Sequence, residues 1–218
     1  MTVVVYKDNV LAADTRRSKG RSPHSEDICA HCGEEGQLVK DDVVKLRIVR
    51  KGIFRGEKIR ASAGAGNVEL LSRLESVVAT GDDLEATYAS FLRVHGRHTE
   101  NEERCALMLI GETKNFTVRV PERGELIIKE YPKDRFLAIG SGDRAAIWIN
   151  KLLPVVTAQQ IVNLAMDGDL SVGGSIDVFD FNEEKPEIRR FEKTDPGSMI
   201  EIVRAVYMRG IEVMGSTK

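Results

Sequence analysis

The feature that most restricts the fold is how the periodic segments are grouped. Strand-like runs come in blocks, and helical patterns come in pairs between those blocks. Thr2–Tyr6 and Val10–Ala13 are apolar runs on either side of Lys7-Asp8-Asn9, which reads as a hairpin at the extreme N-terminus. Val43–Val49 and Lys58–Ala63 read as a second hairpin, turning through Lys51-Gly52-Ile53-Phe54-Arg55-Gly56. From Asn67 the period becomes helical. Val68, Leu71, Leu74 and Val78 share a face, with Glu69, Arg73 and Glu75 elsewhere, and a second helix is expected over Leu84–Val94. Past a polar break at Gly96–Glu103, Cys105–Ile110, Phe116–Val120, Leu126–Lys129 and Phe136–Ile139 are strand-like. Two helices follow, Arg144–Leu153 and Ala158 to about Met166, the second opened by a Thr157/Gln160 capping box. Strands at Ile176–Phe181 and Ile188–Phe191 and a helix from about Met199 to Val213 close the chain.

Paired helices between antiparallel blocks argue against a doubly wound βαβ fold, in which strands and single helices alternate. The expectation is α+β: two antiparallel sheets packed face to face, with helices outside them. No linker or internal repeat divides the chain, so a single domain over 1–218 is expected. It carries a Cys-containing, polar insert at about 19–42, long enough to need a function or outside support. With 42% hydrophobic and 30% charged residues, the 218-residue chain is that of an ordinary globular protein. A net charge of −2 with both signs scattered gives no basic face for nucleic acid. MTVVVYKDNV lacks the basic start and long apolar run of a signal peptide, and no run reaches membrane-spanning length. Three cysteines, Cys29, Cys32 and Cys105, are too few and too odd for a disulfide scaffold, so a reducing cytoplasm is expected. The Asn115-Phe116-Thr117 sequon then has no weight.

Thr2-Val3-Val4-Val5 followed by Val10-Leu11-Ala12-Ala13-Asp14-Thr15-Arg16 resembles the start of proteasome β subunits and of the bacterial HslV-type peptidases. Lys45-Leu46-Arg47-Ile48, Ser62-Ala63-Gly64-Ala65-Gly66, Ile139-Gly140-Ser141-Gly142 and Asp169-Leu170-Ser171-Val172-Gly173-Gly174-Ser175-Ile176 match further segments in the same order. The resemblance runs from Thr2 to about Phe181 and implies the four-layer αββα sandwich of the N-terminal nucleophile (Ntn) hydrolases. It also implies a threonine peptidase in which Thr2, bared by removal of Met1, attacks a peptide bond through an acyl-enzyme.

Each implied role has a physical reading. A threonine hydroxyl needs a base, and an N-terminal threonine carries one in its α-amine, which titrates near ~7.7–8.0. A neighbouring ammonium lowers that value; Lys45 would supply it, oriented by Asp14. Lys40 competes for this role, but an apolar-alternating strand follows Lys45 directly. The span from Lys45 to Gly64 exceeds the family's by a few residues, which an enlarged Lys51–Glu57 loop would absorb. Gly64 would present its backbone N–H to the oxyanion. Ser141 and Asp169 would hold the amine and relay its proton. Arg16, Ser18, Ser62 and Gly66 would line the substrate cleft, Ser62 as the small floor of a roomy pocket. One departure stands out: Val172 occupies a place where the family often has serine, and it cannot bond the amine, so either Ser171 compensates or the site is weaker.

Gly140-x-Gly142-x-x-Ala145 also fits a loose dinucleotide fingerprint, but the strand that should follow it is replaced by a second helix. Cys29-Ala30-His31-Cys32-Gly33 looks like half a zinc knuckle. A structural zinc needs four ligands, so His24, His31 or a neighbouring subunit would complete it; a labile disulfide and two ordinary thiols are the alternatives. No cofactor is needed for the threonine chemistry. The expected partners are further copies of the chain in a ring or helical stack that hides the sites, a peptide or unfolded-protein substrate, and an ATPase unfoldase. A small-molecule Ntn amidase and a non-catalytic assembly subunit are the alternative functions.

Overall fold

A computed structural model describes residues 2–19, 38–40, 43–66, 68–81, 83–95, 105–120, 126–168 and 173–194. In chain order the described strands and helices are β1 (Val3–Lys7), β2 (Val10–Asp14), β3 (Arg17–Lys19), β4 (Leu38–Lys40), β5 (Leu46–Phe54), β6 (Glu57–Gly66), α1 (Val68–Thr80), α2 (Leu84–His95), β7 (Cys105–Gly111), β8 (Lys114–Val120), β9 (Ile127–Pro132), β10 (Leu137–Gly140), α3 (Asp143–Leu152), α4 (Ala158–Gly168), β11 (Ile176–Asp180) and β12 (Ile188–Phe191). They form two five-stranded antiparallel sheets, β10-β1-β2-β11-β12 and β5-β6-β7-β8-β9, and a small β3-β4 ribbon. Helices α3 and α4 pack on the first sheet and α1 on the second, α2 packs against α1 and joins the same core cluster through Leu84 and Tyr88, and the sheets face each other through β1, β10, β6 and β7. This is the four-layer αββα sandwich expected from the element order.

Continuous apolar strands have a direct cause here, because both faces of each sheet are covered. In β1, Val4 and Tyr6 point between the sheets, packing with Leu11, Leu46, Met108 and Ile110. Val3 and Val5 point the other way, onto Ile161, Val162 and Ala165 of α4. β7 divides likewise: Met108 and Ile110 face the first sheet, while Leu107 and Leu109 face Leu74 and Val78 of α1.

The β1–β2 turn is the two-residue Asp8-Asn9, whose φ values of 51° and 62° make it the mirror-image turn that fits strand twist. The second hairpin differs from the sequence expectation. Its strands run on to a two-residue turn at Arg55-Gly56, and the supposed loop at Lys51–Phe54 is strand. The extra length is taken up inside β5, where Val49, Arg50 and Lys51 stand opposite Arg60 alone, between the pairs Ile48↔Ala61 and Gly52↔Ile59. The buried face of α1 is also shifted: Leu70, Leu71, Leu74, Val77 and Val78 are buried, whereas Val68 is 44% exposed. Glu75, assigned to the polar side, is buried. The arms of the insert pair as β3 and β4, with Ser18 opposite Val39 and Arg17 opposite Lys40. The bulk of the insert, with Cys29, Cys32, His24 and His31, lies outside the described residues, as does the expected Met199–Val213 helix.

The Thr157 capping box forms: Thr157 N–H donates to Gln160 Oε1 at 2.9 Å and Gln160 N–H to Thr157 Oγ1 at 3.3 Å. Among the described residues, no helix is long and apolar enough to cross a membrane.

Candidate active site

Thr2 enters β1 between two neighbours that leave it little room. Val3 pairs with Gly140 across the β1–β10 ladder, and Gly140 holds φ +100°, open to glycine but strained for other residues. A Cβ at Gly140 would fall 2.1 Å from the Thr2 carbonyl oxygen, so the strand can pass this close only with glycine there. The same carbonyl accepts the Gly142 N–H at 3.2 Å and the Ser141 hydroxyl at 3.4 Å. The Thr2 N–H donates to Ser141 Oγ at 3.2 Å. The Gly140-Ser141-Gly142 turn thus clasps Thr2 from both ends of its backbone. Thr2 itself is buried.

Asp14, the last residue of β2, is fully buried and collects three donors. Val3 N–H and Lys45 Nζ meet its Oδ1 at 2.8 and 2.9 Å, and Gly173 N–H meets Oδ2 at 3.2 Å. Burial pushes the Asp14 carboxyl above the ordinary range; the Lys45 charge and hydrogen bond and the Val3 and Gly173 N–H groups pull it back only in part. Lys45 Nζ also donates to the Arg16 carbonyl. Lys45 is therefore the lysine that reaches Asp14. Thr2, Asp14, Lys45 and Ser141 come together through Val3, whose N–H is the covalent neighbour of the Thr2 carbonyl.

The other candidates are placed as follows. The Gly64 N–H donates to the Lys45 carbonyl at 3.3 Å, as the last rung of the β5–β6 ladder, instead of standing free for an oxyanion. Its lack of a side chain has a packing cause, since a Cβ would lie 2.9 Å from Leu71 of α1. Gly66 ends β6 at φ +110°, where the strand turns into α1. Ser62 is buried, and its hydroxyl donates to Glu75 Oε1 at 3.2 Å. Ser62 lines an open cleft of about 700 Å³ together with Glu75 and Arg47, whose Nε lies 3.0 Å from Glu75 Oε2. Arg16 sends its N–H to the Gly173 carbonyl at 2.9 Å, and its guanidinium lies against Gly173, where a Cβ would be 2.6 Å from Cζ. Ser18 lies on β3, at the mouth of the insert. Asp169, Ser171 and Val172 fall outside the described residues, as do Cys29 and Cys32, the candidate zinc ligands. Among the described residues, no cluster of three His, Cys, Asp or Glu side chains stands ready for a metal.

Gly173, Arg47 and Glu75 take part without having been singled out. Gly173 could have been read only from its place in the matching segment. Nothing in the local pattern marks Glu75, because a charge on a helix ordinarily reads as solvent-facing.

No family model matches the chain, and no curated protein does. Among solved structures it is similar to Anbu from Hyphomicrobium sp. strain MC1. A Gly-1 mutant of that protein superposes with a TM-score of 0.57 at 15% identity, covering 99% of this chain and 98% of that one. A second Anbu structure from the same strain gives a TM-score of 0.53 at 14% identity, covering 100% and 97%. The resemblance to proteasome β and HslV-type subunits is corrected accordingly, since the structural likeness is to Anbu. What this chain shares with Anbu, end to end, is the α+β fold of the Ntn type.

Proposed function

We propose that the chain is an amide-bond hydrolase of the N-terminal-threonine type, acting on peptides. The observation that carries the reading is the convergence on Thr2: its N–H on Ser141 Oγ at 3.2 Å, and the buried Asp14–Lys45 pair at 2.9 Å bonded to the next residue along. Removal of Met1 turns that amide N–H into an α-amine on the same serine. The amine takes the Thr2 hydroxyl proton as Oγ1 adds to the substrate carbonyl, and passes it to the departing amine as the C–N bond breaks. Water, deprotonated by the same amine, then releases the acid and regenerates Thr2. Lys45, held charged by Asp14, keeps the amine neutral at working pH. Asp169 and Ser171 belong to this proposal as supports of the amine, and Arg16, Ser18 and Gly66 as the cleft wall. A homo-oligomer enclosing the sites, fed by an ATPase unfoldase, would keep such an activity from open solution.

Two measurements on the purified protein test this: intact mass, to establish whether Met1 is gone, and labelling with a threonine-directed electrophile. The mature form should gain one adduct and lose on the order of 10⁶-fold in hydrolysis on Thr2→Ala. Hydrolysis that survives Thr2→Ala would refute the reading. The rung that engages the Gly64 N–H favours a second one, a non-catalytic assembly member of the fold, for which a mature, oligomeric protein would take no adduct.

A further inference from the structure

One strand step from the Asp14–Lys45 pair lies a second charged cluster that the hydrolytic reading does not use. It occupies an open cleft of about 700 Å³ between α1 and the bulge of β5. Arg47, Arg50 and Lys51 line it against a single carboxylate, Glu75, so two positive charges are left over among the lining residues. Glu75 is no receptor for an incoming cation. Its two oxygens are already engaged by Ser62 and Arg47, and its side chain is 9% exposed. Arg47 is the reverse case, 56% exposed and tied to Glu75 through Nε at 3.0 Å. A guanidinium has five N–H donors in a fixed fork, so fixing Nε orients the remaining donors without using them up.

We propose that this cleft binds a carboxylate side chain, Asp or Glu, of a substrate residue next to the scissile bond. Arg47 determines the specificity, Glu75 and Ser62 position it, and Arg50 and Lys51 add to the attractive field. The placement follows from the strands. Arg47 lies two residues beyond Lys45 on the same face, about 6.8 Å along. Ser62 pairs with Arg47 as Gly64 stands beside Lys45. A peptide whose carbonyl sits at Thr2 is thus within one residue's reach of the fork. The inference rests on the Thr2 reading for the position of the scissile bond, while the preference for a carboxylate rests on the cleft itself.

The test uses N-acetyl tripeptide coumarin amides ending in Glu, Gln, Leu or Lys, with binding to the full chain followed by calorimetry and hydrolysis by fluorescence. Glu should exceed Gln by about 10–100-fold in affinity and in kcat/KM, through KM, as suits a charge-assisted fork. Arg47→Gln should erase that ratio, and Arg47→Lys should restore part of it. If the single variant fails to fold, Arg47→Gln with Glu75→Gln removes the cation without stranding a buried carboxylate. Equal binding of Glu and Gln peptides, or a preference for Lys, overturns the inference, even where hydrolysis proceeds. A Glu preference in binding with no hydrolysis of any peptide sustains it and defeats the Thr2 reading instead.

Discussion

Gly140→Ala is the sharpest single perturbation of the site. The new Cβ would lie 2.1 Å from the Thr2 carbonyl oxygen and 2.8 Å from its carbon. A carbon approaches a carbonyl oxygen to about 3.3 Å, so the two strands must part by about 1.2 Å (3.3 − 2.1) at the one residue whose position matters most. Backbone on both sides of the clash leaves no flexible side chain to yield. Overpacking of this kind costs about 1–3 kcal/mol, and alanine at φ +100° adds about 1–3 kcal/mol more. The sum, about 2–6 kcal/mol, lowers Tm by at least ~4 °C for a chain of this size. An ångström of misplacement at a nucleophile costs about 10²-fold in rate, so hydrolysis should fall further than stability explains. Calorimetry with peptide hydrolysis well below Tm separates the two effects. Gly56→Ala is the control: Gly56 also has positive φ, +76°, but nothing lies within 4 Å of its added Cβ. It should show the modest loss of a strained turn, about 1–2 kcal/mol, with hydrolysis intact. Gly140→Ala matching wild type in Tm and rate, or merely matching Gly56→Ala, would show that Thr2 is not clasped as described.

The buried pair gives the next expectation: Lys45→Met strands a fully buried Asp14 and should cost about 3–5 kcal/mol, while adding Asp14→Asn recovers part of it, measured as a double-mutant cycle in urea. Because burial raises the Asp14 carboxyl above its unfolded value, the native state holds that proton more tightly than the unfolded chain does. Its stabilising contribution is complete below pH ~3.9 and is lost as pH rises through the folded value, so wild type minus Asp14→Asn stability should fall with pH; a rise would reverse the assignment. Cys105, 3% exposed and pushed up to about 12 by burial, should resist iodoacetamide at pH ~8 in the native state and react on unfolding, as followed by mass. Thr157→Ala breaks the α4 capping box far from Thr2 and should cost about 0.5–2 kcal/mol in unfolding free energy with hydrolysis unchanged.

How much of the fold was legible depends on whether a segment's pattern has one cause or several. β1 and β7 declared themselves because strands covered on both faces are apolar at nearly every position. The paired helices declared the layer order. The far half of β5 did not, because Lys51-Gly52-Ile53-Phe54-Arg55-Gly56 has the glycines and charges of a loop, and a bulge at Val49–Lys51 breaks the alternation that would have corrected it. In α1, Val68, Leu70 and Val77 all fit an apolar helical face, and only the packing against β6 and β7 selects Leu70 and Val77 among them.

The site divides along the same line. Thr2, Asp14, Lys45 and Ser141 were legible because each stands at an end of a strand or turn whose order in the chain could be matched, and their meeting follows from the two sheets closing on each other. Gly64 stands in a matching segment, but its hydrogen bond belongs to strand pairing, which no motif reports. Glu75 was hidden for a deeper reason. Its burial depends on Arg47, a residue in another element and another periodicity, and neither side chain alone suggests the contact. A charge becomes an interior residue only when a partner across the fold neutralises it, so such pairs escape any reading that proceeds segment by segment. The same condition bears on the proposed subsite: a carboxylate only 9% exposed, with both oxygens engaged, is a fixed anchor, and an arginine tied to a fixed anchor presents its remaining donors in one direction. The feature least visible in the sequence is therefore the one on which the proposed carboxylate preference rests.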